Sequence, residues 1–242
     1  MNLVIDIGNT QIKVAVFDQA ILIFKERFHS EELISRMLTI CEQYNIENSI
    51  ISHVSDLKKS VLSELHELLE LIELNYTTKL PFNNRYLTPK TLGVDRIALA
   101  AGASAQFPNN NVLVIDAGSC ITYDFLNENG DYYGGDISPG IEMRYKAVNN
   151  YTSNLPLLIR TEILPPIGDS TNNAIHRGIL NGVILEIDGV IKQYKAKYQK
   201  LTVVLTGGDT IFLAKNLKSS IFAIPNFLLE GLNSILIHNI DE

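Results

Sequence analysis

Cysteine is nearly absent: Cys41 and Cys120 are the only two among 242 residues. Two thiols cannot build a disulfide framework, nor by themselves fill a four-ligand zinc site, and such sparse use suits a reducing cytosol. Basic charge is also short. Twenty Lys and Arg stand against 27 Asp and Glu, for a formal net charge of −7. That balance argues against nucleic-acid or anionic-membrane partners, which need a basic footprint. It still permits an anionic substrate held by a few local cations. No apolar run reaches the roughly 18–20 residues of a bilayer span. The opening Met1-Asn2-Leu3-Val4-Ile5-Asp6 has no basic stretch and reads as a buried strand rather than a signal peptide. The expected location is therefore the cytoplasm. His29, His53, His66, His176 and His238 have no metal-ligand spacing.

What is present begins with a short internal repeat. Residues 3–8 read Leu-Val-Ile-Asp-Ile-Gly and residues 113–118 read Leu-Val-Ile-Asp-Ala-Gly, an offset of 110. Each copy is an apolar strand ending in Asp-x-Gly, and each is followed by a second strand pattern, Ile12–Phe17 and Ile121–Phe125. Pro108 and Asn109–Asn111 form the best linker. The pattern predicts two similar α/β halves, 1–110 and 111–242, with the last helix packing back on the first half. Helices are predicted after a Ser30 cap, over Leu57–Ile72, from Asp95 to Gln106, from Thr171 to Tyr198 and over Leu228–His238. Strands are expected at Ser49–Val54 and Leu201–Leu205. Glu64, Glu67, Glu70 and Glu73 then read as a solvated helix face.

Three segments carry phosphate chemistry. In Asp6-Ile7-Gly8-Asn9-Thr10-Gln11-Ile12-Lys13, the glycine lets backbone approach a phosphate closely, and Asn9 and Thr10 offer donors. Lys13 supplies a point charge, and Asp6 can hold Mg²⁺ through water. Asp116-Ala117-Gly118-Ser119-Cys120-Ile121-Thr122 repeats that logic. Thr206-Gly207-Gly208-Asp209 follows a strand, and its paired glycines let a ring or ribose lie on backbone. Asp209 could also cap the next helix. The Walker lysine pattern is missing, so this is not a P-loop. A fourth segment, Tyr86 with Leu92-Gly93-Val94-Asp95-Arg96, sets an acid beside an arginine. Asp95 can accept a hydroxyl proton and Arg96 can fork onto a carboxylate.

The first three segments, in this order, resemble the phosphate-1, phosphate-2 and adenosine motifs of the acetate and sugar kinase/Hsp70/actin superfamily. That resemblance implies two ribonuclease-H-like (actin-like ATPase) domains with ATP in the cleft between them. With the fourth segment, Ile137-Ser138-Pro139-Gly140, Leu155-Pro156, Gly168 and Thr171, the chain resembles the type III pantothenate kinases over both halves. The resemblance implies ATP-dependent phosphorylation of the 4′-hydroxyl of pantothenate, the first step of coenzyme A synthesis. It implies ATP contacts by Asp6, Ile7, Gly8, Asn9, Thr10, Gln11, Ile12, Lys13, Ser119, Gly207 and Gly208. It implies a pantothenate pocket of Tyr86, Gly93, Val94, Asp95, Arg96 and Thr171, with Asp95 as proton acceptor. It further implies ATP with Mg²⁺, a monovalent cation (K⁺ or NH₄⁺) on Asp116, and a homodimer that completes the pocket through Thr171. Ser119 stands where the family often has Thr, and Cys120 where Ala is common; neither change removes a catalytic group. The competing readings are an N-acetylsugar kinase of the same superfamily and an ATP-binding regulator without catalysis.

Overall fold

In a computed structural model, residues 1–8, 11–53 and 57–240 are described. The chain forms two compact units, one of Met1–Pro108, Gly130–Tyr132 and Asn226–Glu242, the other of Asn109–Asn129 and Tyr133–Pro225.

The first unit is built on a five-stranded sheet. Its strands are β1 (Asn2–Ile7), β2 (Ile12–Asp18), β3 (Ile21–Phe28), β4 (Asn48–His53) and β5 (Leu71–Glu73), in the order β3-β2-β1-β4-β5. β1 pairs antiparallel with β2 and parallel with β4. Every residue of β1 is buried, so both faces of the sheet are covered. Side chains alternate across a strand. Leu3, Ile5 and Ile7 therefore join Val14, Val16, Leu33, Met37, Ile40 and Leu65 in one core, beneath α1 (Leu33–Gln43) and α2 (Lys59–Leu68). The opposite face carries Asn2, Val4 and Asp6. There Asn2 donates to Asn233 at 3.0 Å. Asn233 belongs to the last helix of the chain, which is α7.

Two helices pack on that face. α3 (Val94–Gln106) follows a short strand, β6 (Asn83–Asn84), and α7 spans Phe227–Ile240. α3 is rich in Ala and Gly because α7 comes very close. A methyl group on Gly231 would overlap the Ala98 carbonyl, and Gly102 lies against the Phe227 ring.

Two expectations are corrected here. Ser30 does not cap a helix: Ser30–Glu32 is a 3-10 turn, and α1 starts at Leu33 with no side-chain cap. The helix predicted to Ile72 stops at Leu68, and Leu71–Glu73 becomes a strand. Pairing of Ser49 with Leu71 and of Ile50 with Ile72 recruits those residues to the sheet edge and overrides the helical spacing. Glu73 is thus off the helix, and its carboxylate meets His66 at 2.8 Å. Val54, the predicted end of β4, lies outside the described residues.

The second unit is built from β7 (Asn111–Ala117), β8 (Cys120–Leu126), β9 (Asp131–Pro139), α4 (Ile141–Asn150), α5 (Thr171–Lys197), β10 (Leu201–Thr206), α6 (Thr210–Asn216) and β11 (Phe222–Ala223). Its strands run β11-β10-β7-β8-β9. The hairpin β7-β8 repeats the β1-β2 pairing, with Asp116 opposite Thr122 as Asp6 is opposite Lys13. Leu113, Ile115, Tyr123 and Phe125 pack on Ile179, Leu180, Val183 and Ile187 of α5. Ser170 caps that helix by accepting the Asn173 N–H at 3.3 Å. The first two residues of β9, Asp131 and Tyr132, belong to the first unit, where they pair with β6.

Candidate active site

In the first unit the site grows from the end of β1. The turn after Asp6 is closed by the Gly8 N–H donating to the Gln11 carbonyl at 3.2 Å. Asn9 and Thr10 lie outside the described residues. Ile7 and Ile12 face the core and are buried, so any ligand contact from them must come through backbone. Asp6 is 5% exposed. Its two carboxylate oxygens have separate partners. Lys13 Nζ reaches Oδ2 at 3.3 Å, and the Ser52 hydroxyl donates to Oδ1 at 2.9 Å. Both partners are a consequence of register, because β1 places Asp6 opposite Lys13 on one side and Ser52 on the other.

Asp95 opens α3. Gly93 stands at the cap position, where a methyl would collide with the Asp95 carboxylate. Asp95 Oδ1 accepts the Arg96 N–H at 2.8 Å. Burial pushes the Asp95 carboxyl above its ordinary value. The negative charge of Asp6 adds to the rise, while hydrogen bonding and charge from Arg96 oppose it. Arg96 is 4% exposed, and its guanidinium sits 5.7 Å from the centre of the Tyr86 ring. Tyr86 in turn lies 6.3 Å from Tyr132, and Tyr132 lies 5.7 Å from Phe82. Asp6, Lys13, Tyr86, Gly93, Val94, Asp95 and Arg96 thus all belong to one unit, with Asp6 and Asp95 close enough to repel.

In the second unit, Asp116, Ser119, Gly207 and Gly208 come together where β7 and β10 end. β10 places Thr206 beside Asp116. Gly207 has φ +94°, and a methyl there would overlap both the Asp116 carboxylate and the Ala117 carbonyl. Only glycine fits this turn. Asp209 N–H donates to Ala117 O at 3.0 Å. Asp209 does occupy the cap position of α6, but its side chain makes no cap bond there; it pairs with Arg160 instead. Burial raises the Asp209 carboxyl, and Arg160 works against the rise. Beside these residues is a cavity of about 580 Å³, walled by Gly118, Ser119, Tyr145, Arg160, Gly208 and Asp209. Thr171 is the exposed first residue of α5.

Ser52, Tyr132 and Arg160 went unread in the sequence. No local motif marks them, because Ser52 and Tyr132 matter through strand register and Arg160 through an ion pair 49 positions away. Among the described residues, no group of three or more His, Cys, Asp or Glu side chains could hold a metal ion. Also among them, no helix is long and apolar enough to cross a membrane.

Solved structures define the class first. A glucokinase from an Antarctic psychrotroph matches with a TM-score of 0.53 at 14% identity, covering 98% of this chain and 98% of that one. A conserved Baf family protein from Campylobacter jejuni matches with a TM-score of 0.65 at 22% identity, over 99% and 100%. The fold is the two-domain actin-like ATPase fold of the sugar kinases. The family follows from sequence relatives. The family model for type III pantothenate kinase matches residues 2–193. A type III pantothenate kinase of Flavobacterium johnsoniae is 46% identical over 243 residues, covering 100% of each chain. One from Christiangramia forsetii is 47% identical, over 99% of each. The chain belongs to the type III pantothenate kinase family.

Proposed function

We propose that this chain transfers the γ-phosphoryl group of ATP to the 4′-hydroxyl of pantothenate, giving 4′-phosphopantothenate and ADP in the first step of coenzyme A biosynthesis. Beyond family membership, one observation carries the chemistry: Asp95 is a desolvated carboxylate placed beside both Asp6 and the Arg96–Tyr86 pair. Its raised pKa makes it a stronger base than a solvated aspartate.

The division of labour follows from charge. Arg96 and Tyr86, with the Gly93–Val94 backbone, fit the carboxylate and polar body of pantothenate. Asp95 orients the 4′-hydroxyl and accepts its proton as the oxygen attacks the γ-phosphorus and the bond to the β-phosphate oxygen breaks. Positioning and charge neutralisation supply most of the rate in such transfers. The segment Asp6–Lys13 would bind the phosphates, with donors from Asn9 and Thr10 and with Lys13 offsetting their charge. Ser119 takes the phosphates in the second unit, and Gly207 and Gly208 take the nucleoside beside the 580 Å³ cavity.

Asp6 and Asp116 are oxygen donors of the kind hard cations choose. Asp6 retains acceptor capacity beyond Lys13 and Ser52, since each carboxylate oxygen has two lone-pair sites. It would hold Mg²⁺ through water, and half-buried Asp116 would hold K⁺ or NH₄⁺. Such ions supply charge neutralisation at the phosphates when bound. The working assembly is a homodimer in the cytoplasm, with Thr171 serving the partner's pocket. The test is pantothenate-dependent ADP release, with and without K⁺. Release that depends on an N-acetylsugar but not on pantothenate would overturn the assignment.

A further inference from the structure

The second unit holds a linked set of polar groups that phosphoryl transfer does not itself require. Arg144, in the first turn of α4, donates from Nε to the Pro139 carbonyl at 2.8 Å. From Nη2 it donates to Ser138 Oγ at 2.8 Å and to Glu186 Oε2 at 2.6 Å. Glu186 projects from the middle of α5, and its other oxygen accepts the Tyr123 hydroxyl of β8 at 2.9 Å. Burial would raise the Glu186 carboxyl, but the hydrogen bonds from Arg144, Ser138 and Tyr123 outweigh it and hold the group below its ordinary value. The pair is largely shielded, with side chains 21% and 29% exposed.

Ser138 and Pro139 end β9, and Gly140 caps α4. The Gly140 N–H donates to the Ser119 carbonyl at 3.2 Å. A methyl on Gly140 would overlap the carbonyl oxygens of Gly118 and Ser119. The Ser138-Pro139-Gly140 turn thus lies directly on the hairpin loop that carries Ser119. The start of α4 supplies Ile141 and Tyr145 to the cavity wall beside it.

We infer that Arg144 and Glu186 are positioning residues for ATP. Glu186 and Tyr123 fix the guanidinium, whose rigid fork grips the Ser138–Pro139 turn from two sides. Gly140 then sets the position of the Gly118–Ser119 loop. α5 is the anchor, and the loop is what it aims. Lysine cannot reproduce this, since an ammonium is a point charge without a planar fork.

The inference rests on the proposed contact between Ser119 and ATP, so Ser119→Ala is measured alongside. Steady-state kinetics of Arg144→Lys, Arg144→Gln, Glu186→Gln and the Arg144→Gln/Glu186→Gln double variant are read with their melting temperatures. Losing a charge-assisted hydrogen bond predicts a rise of about tenfold in KM for ATP. KM for pantothenate is expected to stay within about twofold, because Tyr86 and Gly93–Arg96 belong to the other unit and Thr171 stands at the far start of α5 from Glu186, and the double variant should be no worse than the worse single one. Arg144→Lys keeps the charge and is the variant to read if Arg144→Gln does not fold. A purely structural role would lower the melting temperature with both KM values unchanged or rising together, and would overturn the inference. If Ser119→Ala raises KM for ATP while the Arg144 and Glu186 variants do not, the inference alone fails. If Ser119→Ala also leaves it unchanged, the reading of the hairpin fails first.

Discussion

At the scale of single residues, Asp95 carries the most consequence. General-base catalysis contributes about 10²–10⁴-fold, so Asp95→Asn is expected to lose that much turnover while ATP binding, followed by nucleotide titration, is kept. Asp95 also predicts a pH profile. If Asp95 is the proton acceptor, turnover needs its carboxylate, and its pKa is raised by burial and by Asp6. The acid limb of kcat/KM for pantothenate should therefore lie above the ordinary Asp range. The same shift runs the other way for stability. A folded-state pKa above the unfolded one means the folded chain binds more protons. Stability contributed by this group is full below the ordinary value and is lost as pH rises through the raised one. Asp95→Asn should then melt higher than wild type at neutral pH, with the gap closing in acid. Equal melting at both pH values would remove the desolvation argument. Asp95 and Arg96 were legible because they are adjacent in the chain. Ser52 was not, because its bond to Asp6 spans 46 positions and exists only through the pairing of β1 with β4.

At the scale of elements, the two Asp-x-Gly hairpins were readable from alternation and glycine placement alone. α3 and α5 were readable nearly to the residue: the predicted Asp95–Gln106 is Val94–Gln106, and the predicted Thr171–Tyr198 is Thr171–Lys197. α2 failed at its end because an edge-strand pairing outbid a helical period. Close packing of α3 on α7 gives a further test. Gly231→Ala would drive a methyl into the Ala98 carbonyl, and overpacking of this kind costs roughly 1–3 kcal/mol. Urea denaturation should show a lower midpoint with KM for ATP unchanged. Gly207→Ala should differ. Its φ of +94° and its contact with Asp116 predict a loss of ATP affinity along with stability, read as a higher KM for ATP.

At the scale of the whole molecule, the second half of the chain does not stay in one unit. Gly130–Tyr132 and Asn226–Glu242 join the first, and Tyr132 thereby supports Tyr86. If Asp116 serves a monovalent cation, ADP formation should fall sharply in Na⁺-only buffer and recover with K⁺ or NH₄⁺. Full activity in Na⁺ alone would remove that role. Analytical ultracentrifugation is expected to give a dimer at assay concentrations. Under the proposed function the acidic balance of the chain also acquires a meaning: Asp6, Asp95 and Asp116 would serve cations and a proton, while Lys13 and Arg96 would meet the anions. Sequence alone determined the family and most elements, because glycine turns and alternating strands act over a few positions. Tertiary structure decided which carboxylate Ser52 holds, what Tyr132 stacks on and how Arg144 and Glu186 grip the turn beside Ser119. Those facts come from strand register and from side chains meeting across tens of residues, where no local pattern records the contact.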